Sequence, residues 1–290
     1  MKHLAAAVLG TLAICHLASA GEPAKPAVTN AAPPVVILNL GPGSFRAFLG
    51  WKTPALASAD GKLKPLLFPL RKDQKEEDRK PVPVRESGQP ASNWAAVDFD
   101  DSTWPRVEGS VALNRENPPL FADGRYVPKS PIEGSRVCLR GKFRVSDPAQ
   151  VTDLKLNLGY VGGAVVYVNG VELQRGHVPD GKLEADALAT RYPDEAYVAD
   201  GGKIRPFTRD PKALAELAKV RVRNLATQGG AEGVSIPAAM LRKGVNVVAV
   251  DVRPAPVNER SVERAAGGVT WTGPAVLWPR FAVTMGAESV

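Results

Sequence analysis

The chain has 290 residues, 37 Lys and Arg against 30 Asp and Glu, a formal net charge of +7, and 44% apolar side chains. That length fits one large domain or two small ones. Outside residues 1–20 only Cys138 and His177 remain of the two cysteines and three histidines, too few for a disulfide framework or a histidine-rich zinc site, and basic residues spread along strands make no nucleic-acid footprint.

Met1 to Ala20 reads as a secretory signal peptide: a Lys2-His3 start, a mostly apolar Leu4–Leu17, and a small-x-small end at Ala18-Ser19-Ala20. The apolar run falls short of the ~20 residues a membrane span needs, and Ile14 before Cys15 argues against a lipid anchor. The expected location is therefore secreted, periplasmic or extracellular. Cleavage leaves Cys138 as the one cysteine, read as a small buried thiol, and His177 as the one histidine. Residues 21–34 are rich in Ala and Pro and read as a flexible lead-in.

Val35–Leu40 and Ser44–Trp51 read as strands, broken apart by Gly41-Pro42-Gly43. Thr53–Pro69 reads as loop. Arg71–Lys80 interleaves both charge signs with nothing apolar, as a solvated loop or short exposed helix does. In Asn93–Trp104 (NWAAVDFDDSTW), Phe99 and two Trp are anchors, and Asp100, Asp101 and Ser102 suit a tight turn. Asp98, Asp100 and Asp101 could also be read as a hard-cation site, but their spacing matches no EF-hand. No cofactor is expected, with structural calcium left open.

The chain is organised around Arg136–Leu173. Val137, Leu139, Gly141, Phe143 and Val145 alternate with Arg136, Cys138, Arg140, Lys142 and Arg144, as in a strand with one face on a core and one in water. Leu154, Leu156, Leu158 and Tyr160 repeat the pattern. Ser146-Asp147-Pro148 reads as the reversal joining these two as a paired block of antiparallel sheet. Asn169-Gly170 between Ala164–Val168 and Val171–Leu173 reads as a type I′ hairpin turn, since both residues tolerate positive φ.

Gln174–Glu232 is a long insertion with one helix, capped by Asp210, begun by Pro211 and continuing KALAELAKVRV. Val234–Pro237 restarts the sheet, Met240–Gly244 turns, and Val245–Val252 is a buried strand. Trp271–Met285 is a last strand in which Pro279 argues for an edge position or a bulge.

Four segments now stand in order: Trp94…Phe99-Asp100-Asp101-Ser102-x-Trp104, the block at residues 139–160, Val166–Leu173 followed by Gly176-His177, and Ile236-Pro237…Leu241–Val250. Over about residues 90–253 they resemble the galactose-binding-like jelly-roll modules, above all the non-catalytic sugar-binding domain at the front of family 2 glycoside hydrolases. The resemblance implies an all-β jelly-roll β-sandwich over residues 35–285, with insertion 174–232 carrying one short helix and a tail at 286–290. It also implies sugar binding, with Trp94 and Trp104 buried. The stretch from Gly170 to Gly244 exceeds seventy residues, longer than in the family. The family's catalytic glutamates belong to a barrel that is not expected here, so no activity carries over.

No G-x-S-x-G elbow and no P-loop is present, and no carboxylate pair stands out among the 30 acids. The expected function is a secreted, non-catalytic carbohydrate-binding module. Its site would form from the insertion and neighbouring loops, with Trp51, Tyr192, Tyr197 and Trp271 as stacking rings and Arg175, His177 and Arg191 as hydrogen-bonding groups. The expected partner is a glycan or polysaccharide, with no nucleic acid, no membrane span, and a downstream or partner catalytic domain. The alternative is a structural accessory domain of a larger secreted glycoside hydrolase or other cell-surface enzyme.

Overall fold

The computed structural model describes residues 35–41, 43–51, 55–58, 60–65, 75, 77, 87–108, 111–112, 134–203, 205, 210–225, 233–258 and 274–286. The expected signal peptide, the lead-in and nearly all of Arg71–Lys80 lie outside them. In chain order the strands are β1 (Val35–Asn39), β2 (Phe45–Trp51), β3 (Ala55–Ala57), β4 (Leu63–Pro65), β5 (Arg106–Val107), β6 (Val111–Ala112), β7 (Gly134–Val145) and β8 (Lys155–Val161). There follow β9 (Gly163–Val168), β10 (Val171–Gly176), helix α1 (Pro211–Arg221), β11 (Arg223–Leu225), β12 (Val234–Ser235), β13 (Gly244–Arg253), β14 (Val257–Asn258) and β15 (Ala275–Met285).

The fold is an all-β sandwich. The front sheet runs β10-β9-β13-β7-β2-β5, and the back sheet runs β1-β15-β8-β11, with β12 also on β8 and β6 also on β15. A small third sheet, β14-β3-β4, holds a parallel pair, β14 on β3. Between the main sheets lie Leu139, Phe143, Val166, Val248 and Val250 from the front and Leu156, Leu158, Val276, Phe281 and Val283 from the back. The Phe45 ring meets Phe281 edge-on at 4.9 Å between centroids. Burial of each such side chain contributes about 1.5–3 kcal/mol. Gly141 interrupts the apolar alternation of β7 for lack of room, since a Cβ there would sit 2.5 Å from the Phe45 ring.

The Asn169-Gly170 turn forms as read, with φ of 53° and 86° and Val168 opposite Val171. Helix α1 starts at Pro211, with the Asp210 carboxylate accepting from the Ala213 N–H at 3.0 Å, and buries Leu217.

Five expectations change. First, β7 and β8 are not paired: β7 lies between β2 and β13 in the front sheet and β8 between β15 and β11 in the back. The reversal after Val145, with Asp147 capping a short turn of helix by accepting from Ala149 N–H, carries the chain across the core. Both strands alternate because each turns one face to the same core, which alternation alone cannot tell from pairing. Second, only the end of the other face of β7 is in water: Lys142 and Arg144 are exposed, while Arg136, Cys138 and Arg140 are buried. Third, Thr53–Pro69 holds the short strands β3 and β4. Fourth, the insertion is not all loop, because β11 within it pairs with β8. Fifth, the edge position or bulge expected at Pro279 narrows to the bulge, since β1 and β8 flank β15. The register shift between Val276 and Phe281 brackets Pro279, so a bulge accommodates the proline that has no N–H for the ladder.

Candidate functional site

The residues that carry the family resemblance are engaged inside the fold. Segment 87–105 covers the outer face of the front sheet, with Trp94 stacked on Trp104 at 5.9 Å and packed over Cys138, Val247 and Ala249. Arg140 organises it. Its guanidinium bonds the Asp101 carboxylate at 2.9 Å and donates to the carbonyls of Trp94, Ala96 and Phe99. Asp101 also receives Lys142 at 3.0 Å. Burial pushes the Asp101 carboxyl up, but the bonds from Arg140 and Lys142 outweigh it and hold it below the usual carboxylate range. Asp100 closes the turn by accepting from the Ser102 N–H at 2.9 Å. Among the described residues no group of three His, Cys, Asp or Glu is placed to hold a metal ion.

The two motif asparagines meet. Asn169 Nδ2 donates to Asn246 Oδ1 at 2.8 Å, and Asn169 Oδ1 accepts from Val247 N–H at 2.9 Å. Asn246 Nδ2 donates to the Arg242 carbonyl at 2.8 Å and so fixes the turn before β13. Further along the front sheet, Asp251 is gripped by Arg136 (2.7 Å) and Arg253 (3.0 Å), and Arg253 also donates to the Glu184 and Ala187 carbonyls of the insertion.

A cluster of polar side chains forms where the insertion meets the ends of β8 and β9. Tyr160 ends the apolar row of β8, and its hydroxyl lies 3.0 Å from His177 Nδ1. His177 follows β10 in the left-handed region, φ 57°, and is an exposed residue. Its carbonyl accepts from the Thr190 N–H at 2.8 Å, which ties the two arms of the insertion together. Behind them the Arg223 guanidinium lies 3.6 Å from the centre of the Tyr192 ring and donates to the carbonyls of Gly162, Thr190 and Arg191. Burial, and then the Arg223 charge, hold the His177 imidazole below its ordinary pKa, while burial raises the Tyr160 hydroxyl. The pair is thus neutral at neutral pH. It offers hydrogen bonds.

Of the residues expected in the site, His177, Arg191 and Tyr192 are brought together here, Arg191 through its carbonyl. The Arg191 side chain pairs with Asp194 at 3.2 Å. Arg175 binds Glu172 at 2.6 Å through two nitrogens and pins the Pro179 and Gly181 carbonyls, shaping the loop after His177. Tyr192 and Tyr197 are each 1% exposed. Tyr192 donates to the Arg221 carbonyl and accepts from the Gly162 N–H, and Tyr197 donates to the Pro256 carbonyl. Neither ring offers a free face, so these two build the core of the insertion instead of a stacking platform. The side chains of Trp51 and Trp271 lie outside the described residues. Tyr160 and Arg223 were missed: the first reads as one more core residue in the row, the second as one basic residue in VRVRN. The available signal was an arginine alternating with apolar neighbours, which marks a guanidinium on a buried face.

No family model matches this chain, and no curated protein matches it. Among solved structures it is similar to a calcium-binding mutant of Bacteroides uniformis β-glucuronidase 2, at 10% identity over 87% of this chain and 18% of that one, TM-score 0.30. The same enzyme bound covalently to cyclophellitol-6-carboxylate aziridine matches at 12% identity over 86% and 18%, TM-score 0.30. A β-glucuronidase from glycoside hydrolase family 2 matches at 11% identity over 73% and 14%, TM-score 0.23. The chain thus spans less than a fifth of the length of the solved structures it is similar to.

Proposed function

We propose that this chain is a secreted, non-catalytic carbohydrate-binding module whose site lies at the insertion end of the sandwich, around His177. The observation that supports it is the setting of that side chain. The residue is exposed, Nδ1 is tied to Tyr160, the backbone is tied to Thr190, and the loop that follows is pinned by Arg175. A polar group held in one geometry on a rigid loop binds with little ordering cost. The motif order along the chain supports the jelly-roll topology of sugar-binding modules.

The second reading is a structural accessory domain of a larger secreted glycoside hydrolase. It draws on the motif residues themselves, since Asp101, Asn169 and Asn246 are all engaged in internal bonds. A glycan array with the chain and its His177→Asn variant separates the two. Binding to one glycan class, weakened in the variant, is expected. Binding to no glycan at high protein concentration rejects the module reading in favour of the accessory domain.

A further inference from the structure

Three buried arginines of the front sheet each face a carboxylate: Arg140 faces Asp101, and Arg136 and Arg253 share Asp251. Arg223 differs. It is 9% exposed, its donors go to three backbone carbonyls, and among the described residues no carboxylate pairs with it. Carbonyl dipoles and the Tyr192 ring face offset part of the cost of burying that charge, but they leave its field uncancelled. Three acids of the surrounding loops are paired with other bases. Glu172 is held by Arg175, Glu184 by Lys182, and Asp194 by Arg191. The charge of Asp180 acts on Arg175. Arg223 stands opposite the buried Tyr160 across the β8–β11 ladder, and the Tyr160 hydroxyl meets Nδ1 of His177, the exposed residue of this group. His177 Nε2 has no partner among the described residues, so it is free to bond a ligand.

Building on the carbohydrate-binding reading, we infer that the glycan taken at this site is acidic: a sugar bearing a carboxylate or sulfate group, received at His177 near Arg223. An anionic group there would gain a hydrogen bond from the imidazole and the attraction of a charge screened little by water. The basic balance of the whole chain, +7, favours encounter with such a polymer.

The test is calorimetric titration of the full chain with three oligosaccharides of equal length: an oligogalacturonate, a sulfated galactan fragment and a neutral galactan fragment. Each is measured at low and high salt, for the unaltered chain, His177→Asn and Arg223→Met. Asn tolerates the positive φ at 177, so the first variant keeps the fold even where the second does not. Acidic sugar bound about tenfold tighter than neutral sugar, weakened about tenfold by His177→Asn and weakened by salt, supports the inference. Whether the uronate or the sulfated arm binds then identifies the group. Equal affinity for neutral and acidic sugars overturns the inference and leaves carbohydrate binding standing. An acidic preference that His177→Asn does not touch overturns the site. Binding of no oligosaccharide overturns both this inference and the function on which it rests.

Discussion

Asp101 shows how one carboxylate can hold a segment of chain. It receives Arg140, whose side chain is fully buried, and through it the carbonyls of Trp94 and Ala96 are fixed on the front sheet. Removing the acid strands a buried guanidinium, so Asp101→Ala is expected to cost about 3 kcal/mol in chemical denaturation. Because the folded carboxyl sits below its ordinary range, its contribution is present above the unfolded carboxylate pKa and is lost as pH falls through the folded value. Asp101→Asn should accordingly lose less stability on acidification than the unaltered chain; an equal loss would refute the assignment. At His177 the neutral form is favoured by burial and then by Arg223. Its stabilising share is therefore present at neutral pH and lost as pH falls through the lowered folded value. The ring-proton NMR titration of His177 is expected to have its midpoint below that of an unfolded histidine, and Arg223→Met to raise it.

At the scale of elements, the β9–β10 hairpin was readable because Asn-Gly between apolar runs has one strong geometric outcome. Helix α1 was readable because Asp210-Pro211 fixes its start. What was not readable is the work done across the sequence. Asn169 looked like turn chemistry alone, yet its side chain also bonds Asn246 and the Met240 carbonyl, joining the hairpin to the turn before β13. Asn246→Ala takes the side-chain partners from the half-buried backbone N–H and carbonyl of Arg242, at an expected cost of about 1 kcal/mol, and hydrogen exchange should rise at both turns together. The candidate site shared this fate. Tyr192 and Tyr197 carried the composition of a sugar platform, but a ring's identity says nothing of which side of it the chain covers. His177 was legible from its place after the hairpin; Tyr160 and Arg223 become visible only once β8 and β11 lie side by side.

For the whole molecule, the alternation of apolar residues gave the fold class directly, while the partners of each strand depended on contacts distant in sequence. The β7–β8 error is of that kind: two strands facing one core look the same whether they share a ladder or oppose each other. The shared core predicts cooperative behaviour. Phe281 from the back sheet meets Phe45 from the front, so Phe281→Ala is expected to cost about 3–5 kcal/mol while leaving one unfolding transition for both layers. Two separate transitions in calorimetry would refute a common core. The antiparallel ladder of β1 with β15 places Val35 opposite Met285, so the earliest and latest strands described are hydrogen-bonded neighbours. Adding β1 to the edge of the back sheet therefore draws shut a loop of nearly the whole chain, a slow event by contact order. A circular permutant that links residue 285 to residue 35 through a short connector, with new termini opened elsewhere in a surface turn, would make that pairing local and should refold faster than the natural order of the chain.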